Sequence, residues 1–461
     1  MKRLMLAAPM SGSGKTTIAA GLIAALAARR LRVAPFKVGP DYIDPSYHTL
    51  AAGLPAHNLD AWLLPPERIS ASFARRTQDA DVAIIEGMMG LFDGFSGTDD
   101  TGSAAHIAHL LGAPVILILD ASAMARSAAA IVRGFRDFDP QVRIAGVILN
   151  RVGGAGHAQM VQTAIESATG VPVVGYLTQD AALHLPERHL GLIPTAEPGR
   201  WQAWSELVRD RVAQTVQLDR LLAIADSAGP MPTAQTADPF AQHTASPRAK
   251  LAIAHDEAFN FVYADNLDLL QAAGAELVEF SPLHDATLPV GAQGIYLCGG
   301  FPELYAAQLA ANQSLLADLR KAGTQGLPIY AECGGLMLLT EAIVDGNGAV
   351  HRMAGLLPGR SVMTPRLTIG YRTAQALQTN WLSQAGETIR GHEFHHSVWQ
   401  DRLADLPFAY ILQADAYHHE EQEGACLGNV VASYLHLHFL AQPILAERFV
   451  RAAENFSRIN Q

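Results

Sequence analysis

Two α/β domains in series, each built on a mostly parallel sheet, are predicted by three observations. Short apolar runs alternate with helical patterns through residues 1–224, a proline-rich polar segment fills 225–249, and a second alternating series occupies 250–461. A length of 461 residues is also more than one ordinary core organises.

The first run, Leu4–Ala8, leads into Pro9-Met10-Ser11-Gly12-Ser13-Gly14-Lys15-Thr16-Thr17 and then into the helical segment Ile18–Ala28. Strand, glycine loop and helix is the order a phosphate-binding loop needs. Backbone NH groups of Gly12, Ser13 and Gly14 surround a triphosphate, Lys15 adds positive charge, Thr16 offers a hydroxyl to magnesium, and Thr17 completes the motif. Pro9 stands where the usual pattern has glycine, so the first bend rests on a fixed proline torsion. Further runs follow at Val33–Val38, Val82–Ile85, Pro114–Leu119, Ile144–Leu149 and Val171–Val174, with helical patterns at Ala104–Leu111, Met124–Arg136 and Gln159–Ala168.

Ligands of such sheets gather beyond the carboxyl ends of the strands. Two of those ends are acidic: Gly39-Pro40-Asp41-Tyr42-Ile43-Asp44, and Glu86-Gly87-Met88-Met89-Gly90-Leu91-Phe92-Asp93-Gly94. Asp41 and Glu86 join Thr16 as expected magnesium ligands, because hard cations take oxygen donors. Asp44 and Asp93 fit a metal or a turn equally well. Asn150, closing the run Ile144–Leu149, has an amide suited either to a base edge or to a cap. The Asn-Lys-x-Asp pattern of guanine binding is missing, so ATP is the expected nucleotide.

Residues 225–249 contain Pro230, Pro232, Pro239 and Pro247 among small polar residues, which reads as a linker. Beyond it, apolar runs at Leu251–Ala254, Glu276–Phe280, Gly294–Leu297, Pro328–Ala331 and Val430–Tyr434 alternate with helical patterns at Asn260–Ala272, Glu303–Ala311 and Leu315–Lys321. Within Pro328–Leu339 the chain turns from strand to helix at Glu332-Cys333-Gly334-Gly335. A thiol at such a corner is exposed at the sheet's carboxyl end, and a helix start is expected to lower its pKa. Gly300, in Cys298-Gly299-Gly300-Phe301-Pro302-Glu303, and Gly334 are suited to donate oxyanion-hole NH groups. Ser433-Tyr434-Leu435-His436-Leu437-His438-Phe439 brings two histidines to a third strand end, and alternation leaves either able to serve Cys333.

His392-Glu393-Phe394-His395-His396 matches the two-histidine pattern of zinc proteases. Its surroundings favour a strand, in which those histidines stand ~13 Å apart, too far to share one zinc.

A formal charge of -11 argues against wrapping nucleic acid. No stretch approaches ~18 uninterrupted apolar residues, so no membrane span is expected. The apolar run after Met1-Lys2-Arg3 breaks at Pro9, which reads as a mature N-terminus rather than a leader. The three cysteines, Cys298, Cys333 and Cys426, read as reduced thiols of a cytoplasmic protein.

Taken together, the glycine loop, Gly39–Asp44, Glu86–Gly94, Cys298–Glu303, Glu332–Gly335, Gly391–Ser397 and Ser433–Phe439 resemble the cobyrinic acid a,c-diamide synthases, nearly end to end. The resemblance implies a dethiobiotin-synthetase-like P-loop domain followed by a class I, triad-type glutamine amidotransferase domain. It implies ATP- and magnesium-dependent amidation of the a and c acetate carboxylates of cobyrinic acid, through an acyl phosphate, with ammonia drawn from glutamine. By position, Cys333 becomes the glutaminase nucleophile and His436 its base. Triad amidotransferases commonly place an acid two residues after that histidine; His438 stands there instead, leaving the third member open. The same reaction on hydrogenobyrinate or nickel-sirohydrochlorin is the alternative substrate reading, and a nucleotide-switch ATPase is the alternative of another class. A homodimer is left open.

Overall fold

The computed structural model describes residues 1–188, 191–197, 199–231, 238–241, 246–416 and 418–459. The chain divides into two compact units, Met1–Thr236 and Ala237–Gln461.

The first unit is organised by seven strands: β1 (Lys2–Ala7), β2 (Val33–Val38), β3 (His57–Leu59), β4 (Val82–Glu86), β5 (Val115–Asp120), β6 (Ile144–Val152) and β7 (Val173–Thr178). They form one parallel sheet in the order β3-β2-β4-β1-β5-β6-β7. β1 is central. The chain turns to one side of it for β2 and β3 and later to the other for β5 to β7, so its carboxyl end is the place for a ligand. There the chain enters α1 (Lys15–Ala28), buried along Ile18–Leu26 because a second layer covers it. Helix Trp201–Thr215 packs so closely that a Cβ on Gly21 would lie 2.5 Å from Val208 Cγ1. A helix covered on both sides needs no polar face, which explains the unbroken Ala/Leu/Ile pattern.

The first unit extends past the expected boundary at 224. Helix Leu218–Asp226 crosses it, and the guanidinium of Arg3 donates to the carbonyl of Gly229 at 2.6 Å. Residues 232–237 and 242–245 of the expected linker lie outside the described residues.

The second unit has a six-stranded sheet in the order Ala275–Phe280, Ala249–Ala254, Gly294–Leu297, Ile329–Glu332, Val430–Ser433, Ala425–Leu427, parallel except for the last strand. Beside it lies a second sheet, of which only the strand around His392–His396 was expected, in which Leu357–Ala376 pairs antiparallel with Thr388–Gln400. Its strands alternate buried and exposed residues, so they show no apolar run to detect. The expected helix Asn260–Ala272 begins only at Ala264, because Phe259–Phe261 is a short strand paired with Gly299–Gly300.

Candidate functional site

At the carboxyl end of β1 the loop closes on α1 through Gly14, whose φ of 87° is left-handed. A Cβ there would lie 2.2 Å from Asn150 Nδ2, so glycine is required for both torsion and space. Asn150 donates to the Ser13 carbonyl at 2.9 Å and its Oδ1 accepts from the Arg151 NH at 2.9 Å. This amide, expected to read a base or act as a cap, is engaged in holding the loop backbone. Gly12 is also left-handed, and the Ser13 hydroxyl donates to the Met10 carbonyl. Thr17 lies in the first turn of α1. Lys15 is held by the carbonyls of Met89 at 2.6 Å and Met10 at 3.3 Å. Burial lowers its pKa, Glu86 opposes that effect, and Lys37 reinforces it.

Glu86 is the acid beside the loop. Its Oε1 accepts from the Thr16 hydroxyl at 2.9 Å, and its Oε2 lies 2.6 Å from His48 Nε2. Burial would raise its pKa, but the His48 hydrogen bond and Lys37 outweigh burial and hold it below the ordinary value. Oxygen donors from Thr16 and Glu86 are the chemistry magnesium prefers, so this pair fits the ion.

Asp41, expected as a third ligand, is hydrogen-bonded to the turn that follows β2. Its Oδ1 accepts from the NH groups of Ile43 and Asp44, and its Oδ2 lies 3.7 Å from Lys37 Nζ. Burial and the neighbouring Asp44 push its carboxyl up to about 6. Lys37, buried within β2, also faces Asp44 at 3.5 Å; burial opposes its charge, but Asp41, Asp44 and Glu86 raise its pKa overall. Asp93 is a turn residue, accepting from the Gly90 NH at 2.9 Å.

In the second unit Cys333 follows strand Ile329–Glu332 and caps the helix Gly334–Leu339 with φ 46° and ψ -101°. A non-glycine residue at positive φ is strained. The corner is held because the Cys333 NH donates to the Ser433 carbonyl at 2.7 Å on the adjoining strand. The thiol is buried, 3.9 Å from the Phe394 carbonyl. Contrary to the expected lowering at a helix start, its pKa is raised. Burial dominates and Glu303 adds repulsion, while a hydrogen bond from Gly334 only partly offsets them.

Two glycine loops meet at this corner. Gly300 has φ 155°, and a Cβ on it would lie 2.0 Å from the Ala258 carbonyl oxygen. A Cβ on Gly334 would lie 3.2 Å from Gly300 N, so the two expected oxyanion donors are on touching backbones. A Cβ on Gly299 would lie 2.4 Å from His436 Cε1. The loop Cys298–Pro302 therefore touches both the helix that follows Cys333 and the His436 ring.

The histidine strand is only His436–Leu437, and its two histidines end in different surroundings. His436 Nδ1 lies 3.7 Å from Glu332 Oε2, and its ring stacks on His392 at 5.0 Å. His438 stacks on Tyr263 at 4.3 Å, with Asp265 3.9 Å away. Burial, reinforced by His436 and His438, holds the His392 pKa well below the imidazole value. His392 and His395 lie along the extended strand Thr388–Gln400, not on one helical turn.

Residues 4–193 match the CobQ/CobB/MinD/ParA nucleotide binding domain, and residues 250–444 match the CobB/CobQ-like glutamine amidotransferase domain. The cobyrinate a,c-diamide synthase of Dehalococcoides mccartyi strain CBDB1 is 47% identical over 461 residues, spanning 99% of each chain. Those of Salmonella typhimurium and Methanosarcina barkeri are 45% and 42% identical, spanning 97% and 98% of this chain and 97% and 96% of theirs. The chain belongs to the cobyrinate a,c-diamide synthase family.

Four residues beside these motifs, Lys37, His48, Glu332 and His392, take their surroundings from the fold. Lys37 was hidden inside an apolar run; the signal is a lysine in a wholly buried strand with acids four and seven residues later. His48 is buried against Glu86, and Glu332 ends a buried strand with a charge. His392 could be recognised only through its strand pairing with His436. No helix among the described residues is long and apolar enough to cross a membrane.

Proposed function

We propose that this chain converts the a and c acetate carboxylates of cobyrinic acid to amides, using ATP and glutamine. The carrying observation is that one chain holds both a phosphate loop with a buried acid at Thr16 and a strained cysteine corner with a histidine beside it. The synthetase half is the first unit, including helix Leu218–Asp226, and the amidotransferase half is the second.

A carboxylate is a poor electrophile at neutral pH. In the first half its oxygen attacks the terminal phosphorus of ATP, ADP leaves, and an acyl phosphate forms. Lys15 and the backbone of Gly12, Ser13 and Gly14 hold the transferring phosphate by position and charge. Magnesium neutralises phosphate charge when bound, with Thr16 and Glu86 as its protein donors. Lys37 keeps Asp41 and Asp44 fixed beside that site.

In the second half the Cys333 thiol begins protonated, so it must give up its proton as it attacks glutamine. His436 accepts that proton and returns it to the departing ammonia. NH groups of Gly300 and Gly334 take up the charge on the carbonyl oxygen. Water then cleaves the thioester, releasing glutamate and restoring the thiol. Ammonia displaces phosphate from the acyl phosphate to form the amide.

The test is mass spectrometry of cobyrinic acid incubated with the purified chain, ATP, magnesium and glutamine. Two successive carboxyl-to-amide conversions are expected. No conversion with glutamine or with ammonium as donor would refute the proposal.

A further inference from the structure

The position two residues beyond His436 holds His438, so the acid that orients the base must come from elsewhere. Two buried acids stand near these histidines. Asp265 approaches His438 at 3.9 Å, whereas Glu332 Oε2 approaches His436 Nδ1 at 3.7 Å. We infer that Glu332, the residue immediately before the nucleophile, is the positioning acid for His436. This inference rests on the roles given to Cys333 and His436 above.

The Glu332 carboxylate has room for one more donor. Its Oε1 accepts from the Tyr330 hydroxyl at 2.6 Å and from the Leu437 NH at 3.0 Å, and its Oε2 accepts from the Tyr296 hydroxyl at 3.0 Å. A carboxylate offers about four acceptor positions, so the remaining one is on Oε2, the atom nearest Nδ1. The Leu437 contact also means that one carboxylate holds the backbone carrying the imidazole as well as facing its ring. Asn266 closes the frame, donating to Tyr296 Oη at 3.3 Å and to the Leu437 carbonyl at 2.8 Å while accepting from the Phe439 NH at 2.7 Å.

An Nδ1–H directed at Oε2 leaves Nε2 as the basic nitrogen, the tautomer a general base requires. The 3.7 Å separation exceeds a hydrogen bond, as catalytic pairs in ligand-free sites often do. His392, kept neutral by burial, stacks on the same ring from the neighbouring strand, and the Gly299 backbone borders it. His438, Tyr263 and Asp265 group together separately. Glu332 thus presents its carboxylate 3.7 Å from the His436 ring.

The test compares Glu332→Gln, His436→Asn and the double variant in glutamine hydrolysis by the full chain. Glu332→Gln is expected to lower kcat about 10²–10⁴-fold while leaving KM for glutamine within about threefold. Ammonium-driven amidation serves as the internal control for folding. Because Glu332 acts through His436, the double variant should be no slower than His436→Asn alone. Additive losses, or a Glu332→Gln kcat within about threefold of the parent, would overturn the inference. Full glutaminase activity in His436→Asn would instead overturn the underlying assignment. If Glu332→Gln does not accumulate folded, Glu332→Asp replaces it: a kcat loss beyond about tenfold with ammonium-driven synthesis intact supports the inference, and an unchanged kcat refutes it.

Discussion

At the nucleotide loop two buried lysines, Lys15 and Lys37, face Glu86, Asp41 and Asp44, whereas at the cysteine corner the buried nucleophile keeps its proton and the adjacent His392 stays neutral. Both sites sit where a strand passes into a helix through glycine-rich backbone. The difference is when charge appears. A triphosphate arrives already charged, so its site holds compensating charges in advance. The glutamine amide is neutral until attacked, so its site needs groups that become charged during the step. Similar backbone geometry thus serves opposite electrostatic demands.

The sharpest way to break this comparison is to disable each site while supplying both nitrogen donors. Cys333→Ala is expected to lower glutamine-driven amidation about 10⁵–10⁶-fold while ammonium still supports it. Lys15→Ala should lower amidation with either donor by about 10²–10³-fold while glutamine hydrolysis survives. Following amide product and glutamate release in parallel tests both. Equal loss of glutamine- and ammonium-driven synthesis in Cys333→Ala would show that the chemistry is not divided as described.

What the sequence made legible follows the same contrast. Gly12 to Thr16, Cys333 and His436 stood out in the sequence because each lies in a short consecutive motif whose chemistry is local. Lys37, His48 and Glu332 were not, because their meaning depends on which strands are neighbours. Lys37 reaches Asp44 only through the turn after β2, and Glu332 meets His436 because the cysteine strand pairs with Val430–Ser433, which places Glu332 beside Ser433. Asp41 and Asn150 were recognised as rim residues, but the backbone amides and Lys37 that engage Asp41, and the loop carbonyl that engages Asn150, are tertiary facts. The parallel sheets were visible as apolar runs, while the antiparallel sheet, half-exposed along its strands, was not.

The charge built into the first site should also be visible in stability. Lys37→Met removes the cation that Asp41 and Asp44 both face and leaves two partly buried acids without it. The expected cost is about 3–5 kcal/mol, read from urea titration of the intact chain. The neutral counterpart, His392→Gln, should cost only about 1–2 kcal/mol. Similar costs for the two variants would mean that the contrast in charge has no energetic weight.

Glu423 offers the finest test, because it is a titrating acid directly behind the cysteine corner. It accepts from the Ser433 hydroxyl and from the Tyr434 NH, and Ser433 is the residue whose carbonyl anchors the Cys333 NH. Burial pushes its carboxyl from 4.5 up to about 7; the Ser433 hydrogen bond opposes this, and Glu393 adds to it. Between those values the folded chain binds a proton that the unfolded chain has lost. The contribution of this group is therefore fully present below about 4.5 and is lost as pH rises to about 7. The loss amounts to about 3 kcal/mol at most. Glu423→Gln mimics the protonated form and removes that slope. Urea titrations at pH values on either side of the window should show the stability of the variant relative to the parent rising with pH by up to that amount. Parallel curves would assign the proton to another group and leave Glu423 ionised across the window.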